Sequence, residues 1–112
     1  MKIIEDKVTL NELEKMSQAM FGNLVKAVVD IEKEIMAVDA ELHADEEALL
    51  LEKGSKQENL WGINIYPEAG KEKFIEYTSL INIRPSQSNA SMDIKSNDLR
   101  VKIQKIVNSL II

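Results

Sequence analysis

The spacing of hydrophobic residues changes several times along the chain, and each spacing predicts an element. Residues 10–20 and 99–110 carry hydrophobic residues at three- and four-residue steps, which indicates amphipathic helices. Thr9 and Glu12 form the pairing of a capping box, and Gly22 is a suitable stop, so the first helix is expected over about 10–21. Ser96 or Asn97 can cap the last helix, expected over about 98–110.

The apolar positions of residues 24–40 fit a helical face and an alternating strand equally well. Valine and isoleucine are frequent in this stretch and favour strands, and a charged segment separates its two apolar runs. We therefore predict a hairpin with strands at about 24–31 and 35–39. The turn lacks the glycine or asparagine that tight hairpins favour, so the helical alternative stays open.

Two further alternating runs, 61–67 and 74–84, predict neighbouring antiparallel strands joined by a polar loop. If Tyr66 pairs with Phe74, one face becomes apolar and is expected to belong to the core. That face carries Trp61, Ile63, Ile65, Ile75, Tyr77, Ile81 and Ile83. The opposite, polar face carries Asn64, Glu76, Thr78, Asn82 and Arg84.

Together these elements predict an α+β fold in which helices pack mainly on one face of an antiparallel sheet. Residues 2–4 are expected to add a brief strand, and residues 43–54, with acids in the first turn and Gly54 at the end, a third helix. The 112 residues are about enough for one domain, which we expect to span 1–112.

A resemblance to a known family rests on two segments. They are FGNLVKAVVDIEKEIMAVDAELHADEEALLLEKGSKQENLWGINIYP, residues 21–67, and INIRPSQSN, residues 81–89. The chain resembles a family of small uncharacterised prokaryotic proteins, a domain of unknown function, over nearly its whole length. The resemblance implies a self-contained single domain and supplies no activity, cofactor or catalytic residue.

Composition narrows the class of protein. Hydrophobic residues make up 45% and charged residues 29% of the chain, as in ordinary globular domains. The net charge of −5 repels phosphate backbones and argues against a nucleic-acid partner. No apolar run approaches the roughly 20 residues that span a membrane, and the charged N-terminus differs from a signal peptide. We therefore expect a cytoplasmic protein with neither nucleic-acid nor membrane partners.

His43 is the only histidine, and it lies in an acidic stretch with Glu41, Asp45 and Glu47. Imidazole with carboxylates suits zinc, manganese or iron, so these four residues are the candidate ligands of a divalent ion. The alternative interpretation is that the acids stabilise a helix N-terminus and are otherwise solvated. The neighbouring acids are also expected to raise the pKa of His43.

Arg84 belongs to a second candidate site, for an anionic ligand. Its planar set of donors matches carboxylate or phosphate, and polar side chains of the adjacent strand and loop can complete the site. The residues concerned are Arg84, Asn64, Asn82, Ser86 and Gln87. The alternative is a solvated polar face with an Arg–Glu pair across the strands.

Two classes of function follow. The first is a binding or interaction module without catalytic chemistry of its own. The second is a small metal- or anion-dependent enzyme that uses His43 with nearby acids and Arg84. The absence of cysteine excludes thiol catalysis, and the four glycines are too scattered for a phosphate-binding loop, so we favour the first class and leave catalytic residues and cofactors unassigned.

The last three residues, Leu110, Ile111 and Ile112, are unusually apolar, and we therefore predict that the protein self-associates. A small domain hides limited surface by itself, so we expect a homodimer or a larger assembly. Light scattering at high micromolar concentration should report at least twice the 12.7 kDa chain mass. A monomer under those conditions would contradict the prediction.

Overall fold

The computed structural model describes all residues from Met1 to Ile112. It contains a five-stranded antiparallel sheet and three α-helices. The strands are β1 (Lys2–Ile4), β2 (Val25–Asp30), β3 (Ile35–Val38), β4 (Leu60–Ile65) and β5 (Ile75–Glu76). The helices are α1 (Leu10–Met20), α2 (His43–Glu52) and α3 (Asn97–Leu110). Short 3₁₀ helices lie at Gln57–Asn59, Lys71–Lys73, Leu80–Asn82 and Pro85–Gln87.

The strands are arranged in the order β1-β3-β2-β4-β5, so β2 lies at the centre of the sheet. Helices α1 and α3 cover one face and build a core cluster of 16 buried residues with β2, β3 and β4. Helix α2 covers the other face through a smaller cluster, Val28, Ala37, Leu50 and Leu60. Two of the three helices, α1 and α3, therefore pack on one face of the sheet, and α2 forms a third layer on the opposite face. No helix is both long and apolar enough to cross a membrane.

The predicted hairpin is confirmed as β2 and β3, with Val28 opposite Ala37. Its turn is held by Asp30, the last residue of β2, whose Oδ1 accepts from the N–H groups of Glu32 and Lys33, both at 2.9 Å. Asp30 is buried and its Oδ2 accepts from the Ser55 hydroxyl at 2.6 Å. The Asp30 side chain therefore holds the turn, and Glu34 adopts the left-handed conformation, with φ of 57°, that glycine or asparagine usually supplies.

The predicted strand over 74–84 is much shorter than expected. Its register is right, since Tyr66 N donates to Phe74 O at 2.8 Å and Asn64 pairs with Glu76. Beyond Glu76, however, the chain leaves the sheet. Ile81 packs against the cluster on the α2 side, and Ile83 is exposed, so neither joins the face that carries Ile63.

Asn82 replaces the missing part of that strand with its side chain. Its Oδ1 accepts from Gly62 N at 2.8 Å, and its Nδ2 donates to Gly62 O at 2.9 Å and to Met92 O at 3.2 Å. One carboxamide thus pairs with both backbone groups of Gly62, as a neighbouring peptide would. A Cβ on Gly62 would lie 2.6 Å from the Cβ of Ser79, so only glycine allows the segment that carries Ser79 to pack this close to β4.

The C-terminal residues dock on the segment before α1. Val8 N donates to Leu110 O at 2.8 Å, and Ile112 N donates to Val8 O at 3.0 Å. Ile111 is half-buried against the core, while Ile112 is exposed. The apolar ending is therefore partly used inside the domain.

Replacing Asn82 by alanine should destabilise the fold. The change leaves the buried N–H and C=O of Gly62 without partners, which costs about 3 kcal/mol in the free energy of unfolding. Urea unfolding measures this loss. Asn108→Ala removes the same group from an exposed position of α3 and should stay within about 0.5 kcal/mol of wild type. Equal stability of the two variants would contradict the role assigned to Asn82.

Candidate functional site

His43 is the first residue of α2, and its imidazole is buried at 9% exposure. Nε2 lies 2.8 Å from Ile63 O. A carbonyl oxygen only accepts, so Nε2 carries the hydrogen. Burial lowers the pKa of His43 and the charge of Lys26 lowers it further, although the bond to Ile63 opposes both. The expected rise in this pKa is wrong, because the ring is buried whereas Glu41 and Asp45 are exposed.

Glu46 was not among the candidate residues, yet it is the most deeply buried charged-type side chain of α2, at 0% exposure. Its Oε2 accepts from Ala40 N at 3.2 Å, and its Oε1 has no partner. Burial raises the pKa of Glu46 to about 9, which the hydrogen bond from Ala40 offsets only in part. The carboxyl group is therefore protonated and neutral at pH 7.

The four candidate metal ligands do not form a coordinating set. Glu41 and Asp45 are exposed, and Nε2 of His43 donates to Ile63 O. Burial lowers the pKa of Arg84, and the negative charge of Glu47 opposes this change. No three His, Asp or Glu side chains are grouped so that they could hold a metal ion. The metal site stays a prediction, and the packing of the helix explains the position of His43 without it.

Arg84 is buried at 8% exposure, and its donors serve the protein itself. Nε donates to Ile81 O at 3.0 Å, Nη1 donates to Gln57 O at 2.7 Å, and Nη2 donates to Leu60 O. The guanidinium also lies 4.2 Å from the centre of the Trp61 ring. Arg84 thus fastens the irregular segment to the start of β4.

The other candidate anion ligands are dispersed. Gln87 is beside Arg84, with Oε1 accepting at 3.2 Å, whereas Ser86 is exposed and without a side-chain bond. Asn82 is occupied with Gly62, and Asn64 donates instead to Glu76 Oε1 at 2.8 Å. The anion site around Arg84 stays a prediction that these contacts do not favour.

A sizeable cavity lies elsewhere, as a groove along the exposed flank of α3. Its volume is about 880 Å³, and Asn97, Arg100, Val101, Gln104 and Asn108 line it from the helix. Apart from the adjacent pair Arg100 and Val101, these positions follow at three- or four-residue steps, and they share one face about 16 Å long at 1.5 Å per residue. This face adjoins the buried stripe of α3, which comprises Ile103, Ile106, Val107 and Leu110.

The opposite wall of the groove comes from the segment around β5. Phe74, Ile75 and Tyr77 present half-buried apolar surface there. Leu10, Ala69, Ile111 and Ile112 add to the apolar lining, and eight of the 14 lining residues are hydrophobic. A concave cavity within about 300–1,000 Å³, lined by apolar side chains together with several polar groups, has the size of a small-molecule site.

Arg100 is a cationic group of this groove whose side chain is held by the protein. Its Nε donates to Ile94 O at 2.6 Å, and its guanidinium carbon lies 4.8 Å from the centre of the Tyr77 ring. Burial raises the pKa of Tyr77, and the charge of Arg100 opposes that rise. The structure has two ion pairs, Met1–Asp39 and Lys2–Glu12, and neither includes Arg100. Both terminal nitrogens of this guanidinium therefore remain without protein partners.

Sequence reasoning missed the groove because it treated α3 as one buried stripe. A signal was present in Val101, an apolar residue outside the stripe, which is 39% exposed. Arg100 beside it and Gln104 one turn later mark a second, mixed face. Tyr77 was expected on the core face, and it is half-buried, like Phe74, at the edge of the sheet.

The fold and the groove define an α+β domain with a concave surface between a helix and the sheet edge. The chain belongs to the family described as Protein of unknown function (DUF5674), whose model matches residues 2–110. This agrees with the resemblance noted above to a domain of unknown function. No curated protein and no solved structure matches the chain.

The buried carboxyl of Glu46 should make stability depend on pH. In the unfolded chain it ionises around its ordinary pKa of 4.5, whereas the folded protein retains the proton up to about pH 9. Unfolding therefore releases this proton between those values, and the free energy of unfolding falls as pH rises, by about 1.4 kcal/mol per pH unit from this group.

Glu46→Gln should remove that contribution. Between pH 6.5 and 8.5, above the ordinary pKa of histidine, the variant should gain stability over wild type as pH rises, in urea unfolding at each pH. Glu52→Gln, at the exposed end of α2, is the control and should keep the wild-type profile. Parallel curves for Glu46→Gln and wild type would show that the buried carboxyl does not titrate as described.

Proposed function

We propose that this protein is a small-ligand binding module without catalytic chemistry of its own, and that its ligand occupies the groove between α3 and the β5 segment. The observation that carries the proposal is the groove itself, about 880 Å³ with apolar and polar side chains in its lining. Val101 and Phe74 offer apolar surface from opposite walls, and amides of α3 offer hydrogen bonds at the rim.

The use of the other polar groups supports a binding role. His43 donates to Ile63, Asn82 pairs with Gly62, and Arg84 donates to three backbone carbonyls. These side chains are engaged in holding the fold. The polar groups of the groove, in contrast, face a volume large enough for an organic molecule.

Binding of N-phenyl-1-naphthylamine, a neutral probe that fluoresces in apolar surroundings, tests the proposal. Val101→Glu places a hydrated charge on the apolar wall and should weaken probe binding at least about tenfold, because the neutral probe would have to displace the water around that charge. The measurement is a fluorescence titration of wild type and variant.

Leu51→Glu is the matched control. Leu51 is 41% exposed on α2 and Val101 is 39% exposed on α3, and Leu51 is outside the groove. The control should bind the probe like wild type. Equal weakening by both substitutions, or by neither, would count against the groove as the binding site.

A further inference from the structure

Resting on the proposed function, we infer that the ligand of the groove is a small organic anion, with an apolar body and a carboxylate or phosphate head bound by Arg100. Arg100 lines the groove, and a single N–H of its side chain is bonded to the protein, from Nε to Ile94 O.

The guanidinium is held in place before any ligand arrives. The bond to Ile94 fixes one edge, and the ring of Tyr77, 4.8 Å away, supports one face. The remaining edge carries the paired donors that match two oxygens of a carboxylate or phosphate. Because the side chain is already ordered, a ligand loses little further rotamer entropy on binding it.

The charges around the groove also favour an anion. Lys71 lines it as a second cation, and Glu72 is the only acidic side chain among the lining residues. No ion pair joins Glu72 to Arg100. An anionic head at Arg100 leaves the apolar body to lie between Phe74 and Val101, so charge and apolar contact come from the same molecule.

Octanoate, octyl phosphate and 1-octanol share one chain and differ in the head group, so they separate charge from apolar contact. We expect at least one of the two anions to bind about tenfold more tightly than 1-octanol, the gain typical of a charge-assisted hydrogen bond. Amide shifts of the groove residues in ¹H–¹⁵N NMR spectra measure each affinity, and the two anions distinguish carboxylate from phosphate.

Arg100→Gln should abolish the preference, so that the preferred anion binds no more tightly than 1-octanol, and amide signals outside the groove that match those of wild type would show that the fold is intact. Lys105→Gln removes the same charge from an exposed site of α3 outside the groove and should keep the tenfold preference.

The outcomes separate the two proposals. Equal affinities of wild type for all three compounds would overturn the inference and leave the proposed function standing. Equal losses in Arg100→Gln and Lys105→Gln would also overturn it, since general charge would then explain the preference. If no compound shifts the groove amides, the proposed function itself fails, and the inference with it.

Discussion

The backbone of β4 needs partners along both edges, and this need shapes the rest of the structure. One edge pairs with β2 from Leu60 to Ile65, whereas β5 covers only two residues on the other edge. Buried backbone groups without partners cost about as much as lost hydrogen bonds. Asn82 and Arg84 meet the need with side chains, at Gly62 and Leu60. The segment after β5 therefore has an irregular backbone, but its side chains supply the hydrogen bonds that a neighbouring strand would give to β4.

The third layer, formed by α2, follows a different principle. It packs on the sheet through a small apolar cluster and buries two titratable side chains, His43 and Glu46, in its first turn. Burial favours the neutral form of both side chains, so it lowers the pKa of His43 and raises the pKa of Glu46. An acidic stretch that looked like a metal site thus contributes its two buried members in uncharged form, and its exposed members surround a helix N-terminus where negative charge is favourable.

The sequence was sufficient where a single local period decides the structure. Helices α1 and α3, the hairpin of β2 and β3, and the pairing of Asn64 with Glu76 were all predicted. It was insufficient where a distant side chain decides. The alternation up to Ile83 predicts a strand, but nothing local reveals that Asn82 pairs with Gly62, 20 residues away. The candidate anion site stays a prediction, and the polar residues of that segment have partners that only the tertiary structure brings near.

The contrast between Arg84 and Arg100 shows how the edge of β4 bears on function. A guanidinium has five N–H donors. Four of those of Arg84 are bonded to Ile81, Gln57, Gln87 and Leu60, so it has little left for a ligand. Arg100 uses one, to Ile94. Because β5 ends at Glu76, Tyr77 is free to lie against Arg100, and the flank of α3 stays open beside the shortened strand. Because β5 is short, Arg84 is engaged in holding the fold, whereas Arg100 lies beside an open groove with N–H donors that remain unbonded.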